Sequence, residues 1–289
     1  MDFTIKTYKQ LLDTLISAGY TFQTFTEFLE APAEKVIMLR HDVDDRKLNS
    51  LRFAEIQHER GVKGTYYFRM VPQSYDRDVI KKIAHMGHEI GYHYEDMDFA
   101  SNKYKVQGSG QPTGKTGFKV QEEQLYDIAI GIFEENLKKL RELVPVKTIC
   151  MHGSPRSPYD NKAVWKKYNY RDYGIIGEPY FDIDFAEVFY ITDTGRRWDG
   201  NKVSVRDKIS IAQPATSNQQ PATGTPFPSF HSTRQIIQAT KNNALPEKIM
   251  FTFHPQRWTN DPGQWLWEFF FQNLKNQVKR FIVANQNKE

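Results

Sequence analysis

Two aspartates stand two residues apart in His41-Asp42-Val43-Asp44-Asp45, and three histidines, His93, His152 and His254, each close a short apolar run. Residues two apart in extended chain face the same way, so Asp42 and Asp44 present both carboxylates to one side. That pairing suits a division of labour in which one carboxylate holds a cation and the other accepts a proton. Neutral imidazole is a common metal ligand as well as a proton carrier. His93 runs directly into Tyr94-Glu95-Asp96, three further side chains able to coordinate or hydrogen-bond. His152 follows Cys150-Met151, and strand alternation puts Cys150 on the same side but deeper, as core. The stretch Asp193-Thr194-Gly195-Arg196-Arg197-Trp198-Asp199 gathers two arginines, a tryptophan and two aspartates. Guanidinium groups grip carboxylate or phosphate and an indole offers a stacking face, so this loop reads as substrate recognition.

The elements that must position these groups are seven apolar runs: Val36 to Arg40, Gly64 to Phe68, Ile90 to Tyr92, Val146 to Met151, Asp172 to Ile176, Val188 to Thr192 and Lys248 to Phe253. They lead into Asp42 and Asp44, Arg69, His93, His152, Glu178, Asp193 and His254 respectively. Helical periodicity lies between most of them, at Leu48 to Arg60, Asp78 to Met86, Val120 to Leu143 and Ser232 to Lys241, with an opening helix over Tyr8 to Ala18. Alternating strand and helix imply a parallel sheet with crossovers, and in a closed barrel the loops at the carboxyl ends of the strands converge on one mouth. A single α/β domain over 1–289 is expected. Two aperiodic polar stretches, Ser101 to Thr116 and Ala212 to Phe230, read as loop excursions from it. An aromatic helix containing Trp265, Phe269 and Phe270 ends the chain.

Composition limits the partners. With 39% apolar and 26% charged residues the chain is that of a globular protein, and no apolar stretch approaches the roughly 20 residues needed to span a bilayer. The first residues lack the basic segment and apolar core of a secretion signal, which makes the cytoplasm the expected location. The net charge of +4 is spread along the sequence, without the basic cluster a nucleic-acid binder gathers, so no nucleic-acid partner is expected. Weak attraction to an anionic membrane surface or to phosphate-bearing substrates is compatible with it. The single cysteine excludes an internal disulfide. Aromatic residues make up 14%, read first as core and second as stacking faces for sugar rings.

Together these residues resemble the polysaccharide deacetylases of the NodB-homology type (carbohydrate esterase 4-like), in particular the branch found in O-antigen and other surface-polysaccharide gene clusters. His41-Asp42-Val43-Asp44 looks like the family's first motif, Gly87 to His93 its second, His152 to Pro158 stands in the place of its third, and Phe253-His254-Pro255 looks like its last. The resemblance implies a distorted (β/α)7 TIM-like barrel. It implies hydrolytic removal of an N-acetyl group from an amino sugar, with Asp42 as general base, Asp44 and His93 as metal ligands, a metal-activated water, and His254 as general acid. Arg69, His152, Asp193, Arg197 and Trp198 are the candidates for substrate contact. The family's further metal-binding histidine, four residues after the first, is here Met97, and a thioether is a poor ligand for zinc, the expected divalent ion. The third ligand must come from elsewhere, with Asp96 the first choice and Glu95 or His152 the next. Two rival readings remain: a carbohydrate-binding pseudoenzyme that lost the chemistry, suggested by Met97, and a metal-independent hydrolase of amide C-N bonds.

Overall fold

A computed structural model describes residues 1–106, 119–153, 159–198 and 228–272. Most of the excursions expected at 101–116 and 212–230, together with part of the third motif, lie outside them. Nine strands are described: β1 (Thr21–Gln23), β2 (Val36–Val43), β3 (Thr65–Phe68), β4 (Glu89–Tyr94), β5 (Lys105–Val106), β6 (Lys119–Val120), β7 (Ile149–Met151), β8 (Phe189–Thr192) and β9 (Lys248–Phe253). Seven of them form one sheet in the order β7-β4-β3-β2-β9-β8, with β1 beside the first half of β2, and every pairing is parallel. β5 and β6 pair only with each other. Parallel strands are covered on both faces, which is why they read in the sequence as continuous apolar runs. All eight residues of β2 are buried.

The helices are α1 (Ile5–Ser17), α2 (Phe25–Glu30), α3 (Lys47–His58), α4 (Arg77–His85), α5 (Asp96–Lys103), α6 (Glu122–Arg141), α7 (Pro179–Asp182) and α8 (Thr233–Lys241), and residues 262–272 are also helical. Five of them lie within a few residues of the periodic segments. α5 claims residues 101–103 from the stretch expected to be loop, because Met97, Ala100 and Ser101 bury one face of it. Among the described residues no helix is long and apolar enough to cross a membrane.

Strand alternation separates two environments. Met38, Tyr67, Cys150, Tyr190 and Met250 point to the concave side and pack with Phe25, Ile183, Phe185 and Val188. The intervening residues face the helices. Register sets His41 beside both Tyr66 and Phe253, and its ring stacks on theirs at 4.1 and 5.7 Å between centroids. Gly91 lets Tyr67 lie across β4, since a Cβ there would meet the tyrosine ring at 2.3 Å.

One expected strand is absent. The run Asp172 to Ile176 begins inside a 3-10 turn, Tyr170–Tyr173, which Asn169 caps and Gly174 closes at φ 68°. A left-handed residue cannot continue an extended strand, and what survives is a stub in which Ile176 and Gly177 bond to Lys147 and Ile149 beside β7. The edges β7 and β8 are not paired with each other among the described residues, so the expected (β/α)7 barrel is observed as an open parallel half-barrel. Conversely β1, three residues long, gave no periodic signal.

Candidate active site

The chemistry-bearing groups meet at the carboxyl ends of the strands. Asp42 ends β2 on its concave face and Asp44 follows in a tight turn, its amide donating to the Asp42 carbonyl at 3.0 Å. His93 lies near the end of β4, His152 just past β7, Asp193 past β8 and His254 past β9.

Asp44, His93 and His152 bring three donor atoms together. Its Oδ1 lies 3.5 Å from His93 Nε2 and 3.2 Å from His152 Nδ1, and those two nitrogens are 3.3 Å apart. The Nδ1 of His93 is 2.9 Å from the Cys150 carbonyl, which can only accept. That bond places the ring proton on Nδ1 and leaves the Nε2 lone pair turned toward Asp44. Asp44 Oδ1 is buried yet has no hydrogen-bond partner. One carboxylate and two imidazoles make a donor set that suits zinc at a catalytic site, so the residues present fit a divalent ion. A second grouping, Asp42, His93 and Cys150, is also compact. It fits less well, because Arg40 already bonds both oxygens of Asp42 and Cys150 is packed in the concave core.

The other carboxylates of the site are each paired with an arginine. Arg40, two residues before Asp42 on the same face, donates to its two oxygens at 2.8 and 2.7 Å. Arg69 grips Glu95 in the same bidentate way at 2.8 and 2.7 Å. Arg257 donates to Asp193 at 3.1 Å. Asp44 instead faces His93, His152 and, at 3.9 Å from its Oδ2, His254, with Gln256 donating to that oxygen at 3.3 Å. Burial pushes the Asp42 carboxyl up, but Arg40 and then His93 outweigh it and hold the group below its ordinary value. For Asp44 burial is likewise outweighed, by the facing histidines led by His152, and the carboxyl sits well below the ordinary range.

Asp193 and His254 form a second unit. His254 Nδ1 lies 2.6 Å from Asp193 Oδ1, the His254 amide donates to Oδ2 at 3.0 Å, and Trp258 Nε1 donates to Oδ2 at 2.7 Å. The carboxylate only accepts, so Nδ1 carries a proton toward Asp193 and Nε2 is the atom presented to the mouth. Burial of Asp193 is offset by His254 and Arg257, which keep it ionised below its usual value.

Several sequence-based assignments change. Asp96 does not reach the site: its Oδ1 accepts from Tyr92 at 2.7 Å and Asn136 at 3.0 Å, between α5 and α6, and burial raises its pKa to about 7. Met97 has no exposed surface and belongs to the helix-side core. Asp193, expected to touch substrate, is fully buried and orients His254. Trp198 is only 4% exposed; its Nε1 donates to Thr233 at 2.8 Å and its ring packs edge-on against Phe251 and Phe253, so it offers no stacking face. Arg196 lies 4.6 Å over the ring of Trp265, and Arg197 is half-buried. Arg69 is committed to Glu95 and reaches the centre only through the Asp44 carbonyl at 3.3 Å.

No protein-family model and no curated protein matches the sequence. Two solved structures are similar to it. One is a family 4 carbohydrate esterase from Bacillus anthracis, at 18% identity and a TM-score of 0.32, over 62% of this chain and 71% of that one. The other is a CE4 esterase from Streptococcus mutans, at 11% identity and a TM-score of 0.40, over 93% and 91%. At these scores the likeness carries no weight for fold or chemistry, which rest on this chain's own register and donor geometry.

Three positioning residues gave no motif. Asn161 donates to the His152 carbonyl at 2.9 Å and to Asp98 at 3.2 Å, tying the β7 exit to α5. Gln256 holds Asp44. Arg40 had a readable signal, since an arginine inside an apolar run needs a buried anion, and Asp42 is the residue two further along the same face.

Proposed function

We propose that the protein is a metal-dependent hydrolase that removes an N-acetyl group from an amino sugar of a surface-polysaccharide precursor, on an opened barrel of the (β/α)7 type. The observation that carries this reading is Asp44: where Asp42, Glu95 and Asp193 at the mouth are each gripped by an arginine, its side chain is not, and its buried Oδ1 faces two imidazole nitrogens instead. Asp44, His93 and His152 would hold the ion, with zinc the first expectation from their donor types. A divalent ion there supplies a Lewis acid for the amide carbonyl and lowers the pKa of a water molecule.

The remaining steps belong to the chain. Arg40 keeps Asp42 ionised and fixes its plane, so at neutral pH it stands ready to accept the proton of the attacking water. Its basicity is low, and a weak base is effective only on an acidified water, which ties the base to the neighbouring donor set. His254 donates from Nε2 to the leaving amine while Asp193 holds the ring and balances the imidazolium charge; such proton transfer contributes roughly 10²- to 10⁴-fold. Acetate and a free amino sugar are the products.

Binding without chemistry is the rival from another class. Its support is Met97, and against it stands His152, whose Nδ1 lies beside Asp44 and His93 as a third donor. The test is acetate release from N-acetylglucosamine, its nucleotide-linked form and short chitin oligomers by the zinc-loaded protein. Release abolished by Asp42→Asn supports the reading; sugar binding without acetate from any of them overturns it in favour of a binding protein.

A further inference from the structure

We propose that Glu95, held in place by Arg69, is a positioning residue that aims His152 Nδ1 at the metal centre; this rests on the reading that Asp44, His93 and His152 hold a divalent ion. The two ring nitrogens of His152 face different groups. Nδ1 points to Asp44 and His93, whereas Nε2 lies 3.9 Å from Glu95 Oε2. A histidine that ligates a metal through one nitrogen is oriented by what its other N–H donates to, and a carboxylate is a frequent partner.

Two features of Glu95 point to that role. It occupies the N-cap position of α5 but makes no cap bond, so both its oxygens are free of the helix amides. The side chain is turned instead toward the mouth, 6% exposed, with Arg69 bonded to both oxygens. The bidentate grip fixes the carboxylate plane and leaves Oε2 facing the imidazole. The gap to Nε2 is an ion-pair distance, and its closure to a hydrogen bond is the change expected when Nδ1 takes a ligand. Glu95 would thus serve His152, which leaves the three-residue strand β7, as the Cys150 carbonyl serves the Nδ1 of His93.

The test is zinc affinity, measured by competition with a chromogenic chelator on the full chain, for wild type, His152→Ala, Glu95→Ala and Glu95→Gln. Glu95→Ala is expected to weaken binding roughly 10- to 100-fold, the usual effect of removing a group that orients a metal ligand. Glu95→Gln keeps an acceptor oxygen and is expected to stay within about threefold of wild type. Should Glu95→Ala fail to fold, the double variant Arg69→Ala/Glu95→Ala, which strands no guanidinium, carries the same comparison. Wild-type affinity in the alanine variant overturns the proposal. So does an equal loss in both Glu95 variants, which would assign the effect to charge rather than to the accepted bond. Failure of the underlying reading has its own signature: no zinc bound by wild type, or none lost in His152→Ala, and the proposal falls with it.

Discussion

Asp96→Asn separates a metal-binding aspartate from a buried neutral one. The carboxyl is 1% exposed, its Oδ1 accepts from Tyr92 and Asn136, its Oδ2 has no partner, and its pKa is raised from 3.8 to about 7. The folded chain therefore keeps a proton that the unfolded chain releases above its ordinary value. Between those two values the native state binds more protons, so stability falls as pH rises, and the decline levels off above about 7. At about 1.36 kcal/mol per unit, wild type should lose on the order of 3 kcal/mol between pH about 5 and pH about 8 through this group. Asparagine keeps the acceptor at Oδ1 and has nothing to titrate. Urea unfolding across that range should show the Asp96→Asn variant gaining on wild type by about that amount, with unchanged zinc content. A gap that stays constant with pH, together with loss of zinc, would refute the reasoning and return Asp96 to the metal.

Replacing Arg40 by Met strands the buried Asp42 charge and is expected to destabilise the protein by about 3–5 kcal/mol at neutral pH, read by denaturant unfolding. Because Asp42 is held below its ordinary value, the pair's contribution is present above that value and is lost as pH falls through the lower folded one, so the gap should narrow in acid. Asp193→Asn should cut kcat by roughly 10²- to 10⁴-fold and leave zinc stoichiometry intact, because it disturbs the proton on His254 and not the donor set. Trp198→Ala should cost about 3–5 kcal/mol of stability, seen as a lowered Tm, while KM for an N-acetyl sugar stays unchanged, the opposite of what a stacking platform would show.

Six of the seven apolar runs became strands of the sheet, because a strand covered on both faces must be apolar throughout and so announces itself. Asp172 to Ile176 carried a similar pattern and failed on one residue, Gly174, whose left-handed conformation converts the run into a turn. Chain order also put the reactive residues at strand ends, and parallel register brings them to one mouth. Spacing could not say which group each faces. Asp96 and Glu95 are adjacent, yet the start of α5 sends one toward α6 and the other toward the mouth. Asp193 and Trp198 were legible as polar and aromatic loop residues. Their partners, Trp258 and Thr233, are 65 and 35 residues away in sequence, so their burial followed from packing that no local pattern records.

Asp44, His93 and His152 are proposed to hold one divalent ion together, and elemental analysis of the purified, zinc-reconstituted protein beside His152→Ala reads that occupancy. About one ion per chain in wild type, lost in the variant, is the expected result. No metal in wild type, or an equal content in both proteins, would contradict it.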